Sequence, residues 1–223
     1  MTVSELNQYF YEHAGTFPDP FRLRVIRAIS WLKTARYRIR GEDHDNDWDM
    51  GFIALWIAFN AAYAKKLGKI DTPERDNFRH FLQIVCELDT QKVLYNLVWE
   101  KYSSSIRLLL DNKFVFYPFW QYKNAEISEE EWLRKFENSK NSAHRALASQ
   151  DTVGVLNAVF DRLYTLRNQI MHGGATYHSQ ANRPQLKDAC AFLSATVSQI
   201  VAIMMQHPEN ENWGTVHYPY IKE

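Results

Sequence analysis

An all-α bundle of about six to seven helices is the fold class this sequence predicts, and three observations carry that prediction. Apolar residues recur every three or four positions through most of the chain. Capping residues or an early proline stand before most of these periodic stretches. The 8 Gly and 7 Pro are scattered, with no internal repeat, heptad array or low-complexity segment, so repeat and fibrous folds are excluded.

Asp19-Pro20 opens the first helix as a cap followed by proline at the first helical position. Phe21, Val25, Ile29, Leu32 and Ala35 follow at helical spacing, and Gly41 ends it. Its other face carries Arg22, Arg24, Arg27, Lys33, Arg36, Arg38 and Arg40. A solvated amphipathic face is the first reading of that run, and a phosphate-contacting surface is the second. The second helix runs from the Asp47 cap to Gly68 and is apolar nearly all round, which makes it the central helix. Thr72-Pro73 opens a third, through Phe78, Phe81, Leu82, Val85 and Leu88. A fourth follows Thr90, with Val93, Leu94, Leu97, Val98, Tyr102 and Ile106.

Residues 113–122 (KFVFYPFWQY) hold a central Pro118 and read as an ordered connection or short extended piece, with base stacking as the lesser alternative to packing. Ser128 with Glu131 forms a capping box for a fifth helix containing Trp132, Leu133 and Phe136. Asp151 begins a sixth, with Val155, Val159, Leu163, Leu166 and Ile170 on one face and Gly173-Gly174 at its end. Pro184 lies in the first turn of a last long helix that Pro208 stops. The expected organisation is an N-terminal arm over 1–20, a single helical domain over 21–206, and an irregular tail over 207–223.

With 26 basic and 26 acidic residues the formal charge is zero, so any nucleic-acid surface has to be local. Cys86 and Cys190 lie far apart inside apolar helical patterns, and are expected to be buried free thiols in a reducing compartment. The segment MTVSELNQYFYEHAG has early acidic residues and no apolar core, and the run 51–64 is too short to span a bilayer. The expectation is a cytoplasmic protein with no membrane partner.

The informative stretch is 161–182, DRLYTLRNQIMHGGATYHSQAN, where Arg167, Asn168 and His172 stand as a helix runs into a Gly-Gly turn. Asn168 and His172 are four apart and share a helix face. Arg167 is rotated from His172 by about 140°, and its long side chain can still converge on the same spot. The glycines let a ligand approach the imidazole closely.

An Arg followed after four to six residues by His, with a polar residue after the Arg, resembles the signature of the HEPN family of small helical bundles. The phrases ALWIAFNAAYA at 54–64, RLYTLRNQIMHGGAT at 162–176, NRPQ at 182–185 and WGTVHYPY at 213–220 are similar to its Apea-like bacterial branch. Arg75/His80 and Arg38/His44 also fit the bare spacing, but one pair begins at a helix start and the other straddles Gly41. Neither carries the surrounding phrase.

The resemblance implies metal-independent RNA cleavage by a homodimer, leaving 2′,3′-cyclic phosphate and 5′-hydroxyl ends, with roles in bacterial stress or phage defence. It makes Arg167, Asn168 and His172 the expected catalytic set. Imidazole exchanges protons near neutral pH, and a guanidinium fork suits phosphate oxygens. Some family toxins carry a Tyr two residues after the His as a modification target, and Gly174 stands there in this chain.

Around the motif, Arg162, Gly173, Gly174 and Arg183 are the candidate substrate-binding residues. Asn60, a lone amide in an apolar helix, is read first as a buried hydrogen-bonding residue and second as a support beneath Arg167 and His172. His172, His178 and His217 match no metal-ligand spacing, and there is no phosphate-binding glycine loop. No metal or cofactor is expected, while the partners are RNA, a second copy of the chain and an unidentified antitoxin or partner protein. The alternatives are a non-catalytic module that binds RNA, a nucleotide or a protein, and a bundle that serves assembly alone.

Overall fold

A computed structural model describes residues 1–40, 46–65, 74–180, 183–216, 218, 219 and 221. Among these residues there are ten α-helices and no strand: α1 Val3–His13, α2 Asp19–Ile39, α3 Trp48–Tyr63, α4 Glu74–Leu88, α5 Val93–Asn96, α6 Ser103–Leu110, α7 Tyr117–Lys123, α8 Glu129–Ala148, α9 Thr152–Met171 and α10 Arg183–Gln206. The all-α class holds, and the count exceeds the expected six to seven. The expected helix ends at Gly41 and Gly68, the Thr72-Pro73 start, and His44, Asn182, His217 and Tyr220 lie outside the described residues.

The excess has local causes. The stretch expected to be the N-terminal arm contains α1, closed by a complete capping box between Thr2 and Glu5 and buried through Val3, Leu6 and Phe10. The expected fourth helix is divided into α5, a π-helical segment Leu97–Lys101, and α6. Leu94, Val98, Tyr102, Ile106 and Leu110 repeat every four residues, so their stripe would walk by about 160° around a straight α-helix. Looser winding at the π segment, where the Tyr102 amide donates to the Leu97 carbonyl at 2.9 Å, takes up part of that drift. Residues 113–122 are helical rather than extended. Pro118 sits in the first turn of α7, where its missing N–H costs nothing, and a 3₁₀ turn, Lys113–Val115, precedes it.

The chain groups into two compact units, Met1–Gln91 with Asn182–Glu223, and Lys92–Ala181. In the first, α3 packs against α2 and α10, with α1 and α4 alongside. Trp56, Phe52 and Phe59 of α3 are fully buried, and Trp56 meets Phe59 and Phe78 edge-on. Gly51 permits the close approach of α2 to α3, since a methyl group there would collide with Ile39. Cys190 is buried and its thiol lies 3.5 Å from the Trp48 carbonyl, whereas Cys86 is only half-buried. Burial, and then the neighbouring Asp49 carboxylate, push the Cys190 thiol up, so it stays protonated and inert. α10 is long and apolar enough to cross a membrane by length and composition, but 72% of its most apolar window is buried in the fold, as in a core helix.

One cation of the α2 run is not solvated. Arg24 is 1% exposed, and its guanidinium donates to the carbonyls of Ala62 at 2.9 Å, Ala64 at 2.7 Å, Trp213 at 2.9 Å and Gly214 at 3.3 Å. The first two are carbonyls at and beyond the end of α3, which helix geometry leaves without partners. The other two belong to the stretch expected to be an irregular tail, where Trp213 is buried against Phe81 and donates to the His207 carbonyl at 2.7 Å. Burial lowers the Arg24 pKa to about 10, still well above neutral pH, so the buried group is a cation.

In the second unit α8 packs on α9 and α7, and α6 packs on α9. Phe116, Phe119, Trp132 and Phe136 form its aromatic cluster, which places the KFVFYPFWQY aromatics largely in packing rather than in a free stacking platform.

Replacing Arg24 with Met keeps the hydrocarbon stem and removes the donor from four carbonyls, of which those of Ala62 and Trp213 are buried, where a lost partner is costly. The expected loss is about 3 kcal/mol or more, read from urea unfolding of the purified protein. Arg24→Lys is expected to recover only part of it, because an ammonium cannot span two pairs of carbonyls as the planar fork does.

Candidate functional site

The candidate residues on α9 owe their placement to how that helix starts and stops. Asp151 caps its first turn, accepting from the Gly154 amide at 2.9 Å, and Val155, Val159, Leu163 and Leu166 are buried along one side. At the other end His172 is the C-cap residue. Gly173 follows with φ of 71°, the Gly174 amide donates to the Gln169 carbonyl at 2.7 Å, and the Gly173 amide donates to the Ile170 carbonyl at 3.3 Å. This is a Schellman turn, which needs a left-handed residue at the position of Gly173. The two glycines therefore have a structural task at this helix end. A methyl group on Gly174 would press on the Gln169 carbonyl.

Arg167 and Asn168 are brought together, with Arg167 Nη1 donating to Asn168 Oδ1 at 2.9 Å. Both are half-buried, and His172 is exposed one turn further on. The pair holds the Asn168 amide with its oxygen occupied and its NH₂ available as a donor. An exposed imidazole, a half-buried guanidinium and an amide donor thus lie within the last turn and a half of one helix. Such a set can exchange a proton and bind an anionic oxygen.

Arg162 does not join them. It is 4% exposed, its Cζ lies 4.4 Å above the Phe116 ring and 5.9 Å from Phe136, and it donates to Ser139 Oγ at 3.0 Å and the Leu110 carbonyl at 3.4 Å. The expectation that it binds substrate gives way to a packing role, for which its spacing along the chain gave no hint. Arg183 and Asn60 belong to the first unit. Arg183 pairs with Asp49 at 2.6 Å, both largely buried, so its charge is neutralised within that unit. Asn60 is half-buried on α3, and its Oδ1 has no hydrogen-bond partner among the described residues, contrary to the expected buried hydrogen bond.

One residue escaped the sequence reading. Gln169 Nε2 donates to the Phe114 carbonyl at 2.6 Å and so ties the last turn of α9 to the 3₁₀ turn that precedes α7. Its partner is a backbone group 55 residues away, which no sequence signal could reveal.

Two substitutions separate support from chemistry here. Gly173→Ala, forced into a left-handed conformation, is expected to cost about 1 kcal/mol in thermal unfolding. His172→Ala, at an exposed cap whose backbone makes the bonds, is expected to stay within about 0.5 kcal/mol of wild type. Comparison of the chain with protein-family models, with curated proteins and with solved structures finds no match, so the chemistry of this helix end has to be argued from its own residues.

Proposed function

We propose that the protein is a metal-independent endoribonuclease of the HEPN type, acting in the cytoplasm as a homodimer. The observation that carries the reading is the Arg167–Asn168 hydrogen bond one turn from exposed His172, within a stretch resembling that family's signature. In this reading His172 accepts the proton of a ribose 2′-hydroxyl as its oxygen attacks phosphorus. His172 of the partner subunit protonates the departing 5′-oxygen, and the phosphorus–5′-oxygen bond breaks. Arg167 stabilises the charge that develops on the phosphorane, and the Asn168 NH₂ orients a non-bridging oxygen. A role in bacterial stress response or phage defence, with an antitoxin or other partner protein, belongs to the same proposal.

A second reading has its own support. His172 caps α9 through its backbone and Arg167 is engaged by its own neighbour, which suits a non-catalytic module that binds RNA, a nucleotide or a protein.

The deciding measurement is cleavage of an end-labelled RNA pool in EDTA, with end-group analysis, alongside sedimentation equilibrium. Wild type is expected to be a dimer yielding 2′,3′-cyclic phosphates. Arg167→Ala should be slower by about 100-fold or more, and His172→Ala inactive. If wild type and His172→Ala behave alike, the nuclease reading is abandoned in favour of the binding module.

A further inference from the structure

A groove of about 510 Å³ lies between α1 and α2 in the first unit, far along the chain from the α9 residues. Ser4 and Asn7 line it from α1, Lys33, Arg36 and Tyr37 from α2, and Arg40 from the C-cap of α2. The three cations stand at i, i+3 and i+7, so they form one stripe along the helix, spread over about 10 Å of its axis. All three are exposed, and no described residue forms an ion pair with any of them.

Arg38 is exposed and without a described ion pair as well, but it does not line the groove, whereas the three cations nearer the start of α2 are engaged. Arg22 pairs with Asp19 at 2.6 Å, Arg24 is spent on four carbonyls, and Arg27 donates to the Tyr218 carbonyl at 2.7 Å. Like charges at these spacings repel one another and weaken a helix, and no described residue lining the groove offsets them. The groove therefore suits an anion extended enough to meet several cations at once. Tyr37, 75% exposed among them, adds a flat ring on which an unpaired base can stack.

A lipid surface fits less well. The apolar sides of both helices, Val3, Leu6 and Phe10 of α1 and Val25, Ile29 and Leu32 of α2, are already buried. The large apolar side chains these helices leave exposed are the rings of Tyr11, Trp31 and Tyr37, with no exposed aliphatic stripe beside them to insert.

We propose that this groove binds the backbone of single-stranded RNA, with Lys33, Arg36 and Arg40 on neighbouring phosphates and Tyr37 stacked on a base. The choice of RNA rests on the ribonuclease reading, whereas the anion site stands on the groove itself. It holds the strand by charge and stacking, without base-specific contacts, and so confers affinity rather than sequence preference.

The test is fluorescence anisotropy of a labelled oligouridylate with His172→Ala protein, which keeps the strand intact, at rising KCl. The triple variant Lys33→Gln/Arg36→Gln/Arg40→Gln is expected to bind about tenfold or more weaker at low salt, and to flatten the slope of log K against log salt by ~2. Tyr37→Ala should weaken binding roughly fivefold or more with the slope unchanged. Should the triple variant not fold, Arg36→Gln alone, expected to flatten the slope by ~0.7, decides the matter.

Undiminished affinity and slope in a folded triple variant overturn the proposal. So does a protein that binds phosphatidylglycerol vesicles but not the oligonucleotide. The two readings also fail separately. Binding through the groove without cleavage by wild type removes the nuclease and leaves the groove, while cleavage with an unchanged KM in the triple variant removes the groove and leaves the nuclease.

Discussion

Most of the first unit depends on how one buried guanidinium is satisfied. Arg24 projects from α2 and is almost wholly shut off from solvent, where a bare charge would be intolerable. It is tolerated because four carbonyls converge on it, two where α3 ends and two in the segment after α10. The requirement is mutual. The carbonyls of Ala62 and Trp213 are buried, and they need a donor as much as the cation needs acceptors. A single side chain thereby holds α2, the close of α3 and the stretch around Trp213 together, and the isolated bridge between Lys65 and Val216 lies beside the same junction.

The second unit solves a related problem with a softer device. Arg162 is also buried, but its flat face rests on Phe116 and Phe136 while its NH groups reach Ser139 and the Leu110 carbonyl. Cation and aromatic rings share one surface, which is why a stretch as aromatic as residues 113–122 can be packed without being wholly apolar around it. Lys113 and Lys123 stand over Phe119 in the same way, 5.5 and 5.6 Å from its ring centre. α9 is held on this platform along its buried side and again at its last turn by Gln169. Its C-terminal residues are thus presented on a fixed support rather than on a loop.

The two arginines and the α2 stripe together explain why a chain of zero formal charge can still present basic surfaces. Cations are sorted by what lies opposite them. Arg24 and Arg162 meet backbone oxygens and rings, and Arg183 meets Asp49. Lys33, Arg36 and Arg40 face a groove. A net charge averages over these fates, so it carries little information about any one surface.

What the sequence by itself determined is everything that depends on neighbours within a few residues. The helical class, the caps at Asp47, Ser128 and Asp151, the glycine turn closing α9, and the placement of Asn168 and His172 on one turn all follow from local periodicity and hydrogen bonding. Tertiary structure alone decided which polar groups are buried and why. Arg24 and Arg162 look like their exposed neighbours in the sequence, and only carbonyls and rings between 26 and 190 residues away make them interior. The same holds for the π segment after α5 and for Gln169, because the winding of a stripe and the reach of an amide answer to surfaces that distant parts of the chain supply. Local rules choose the elements, and the desolvation of charge chooses how they are joined.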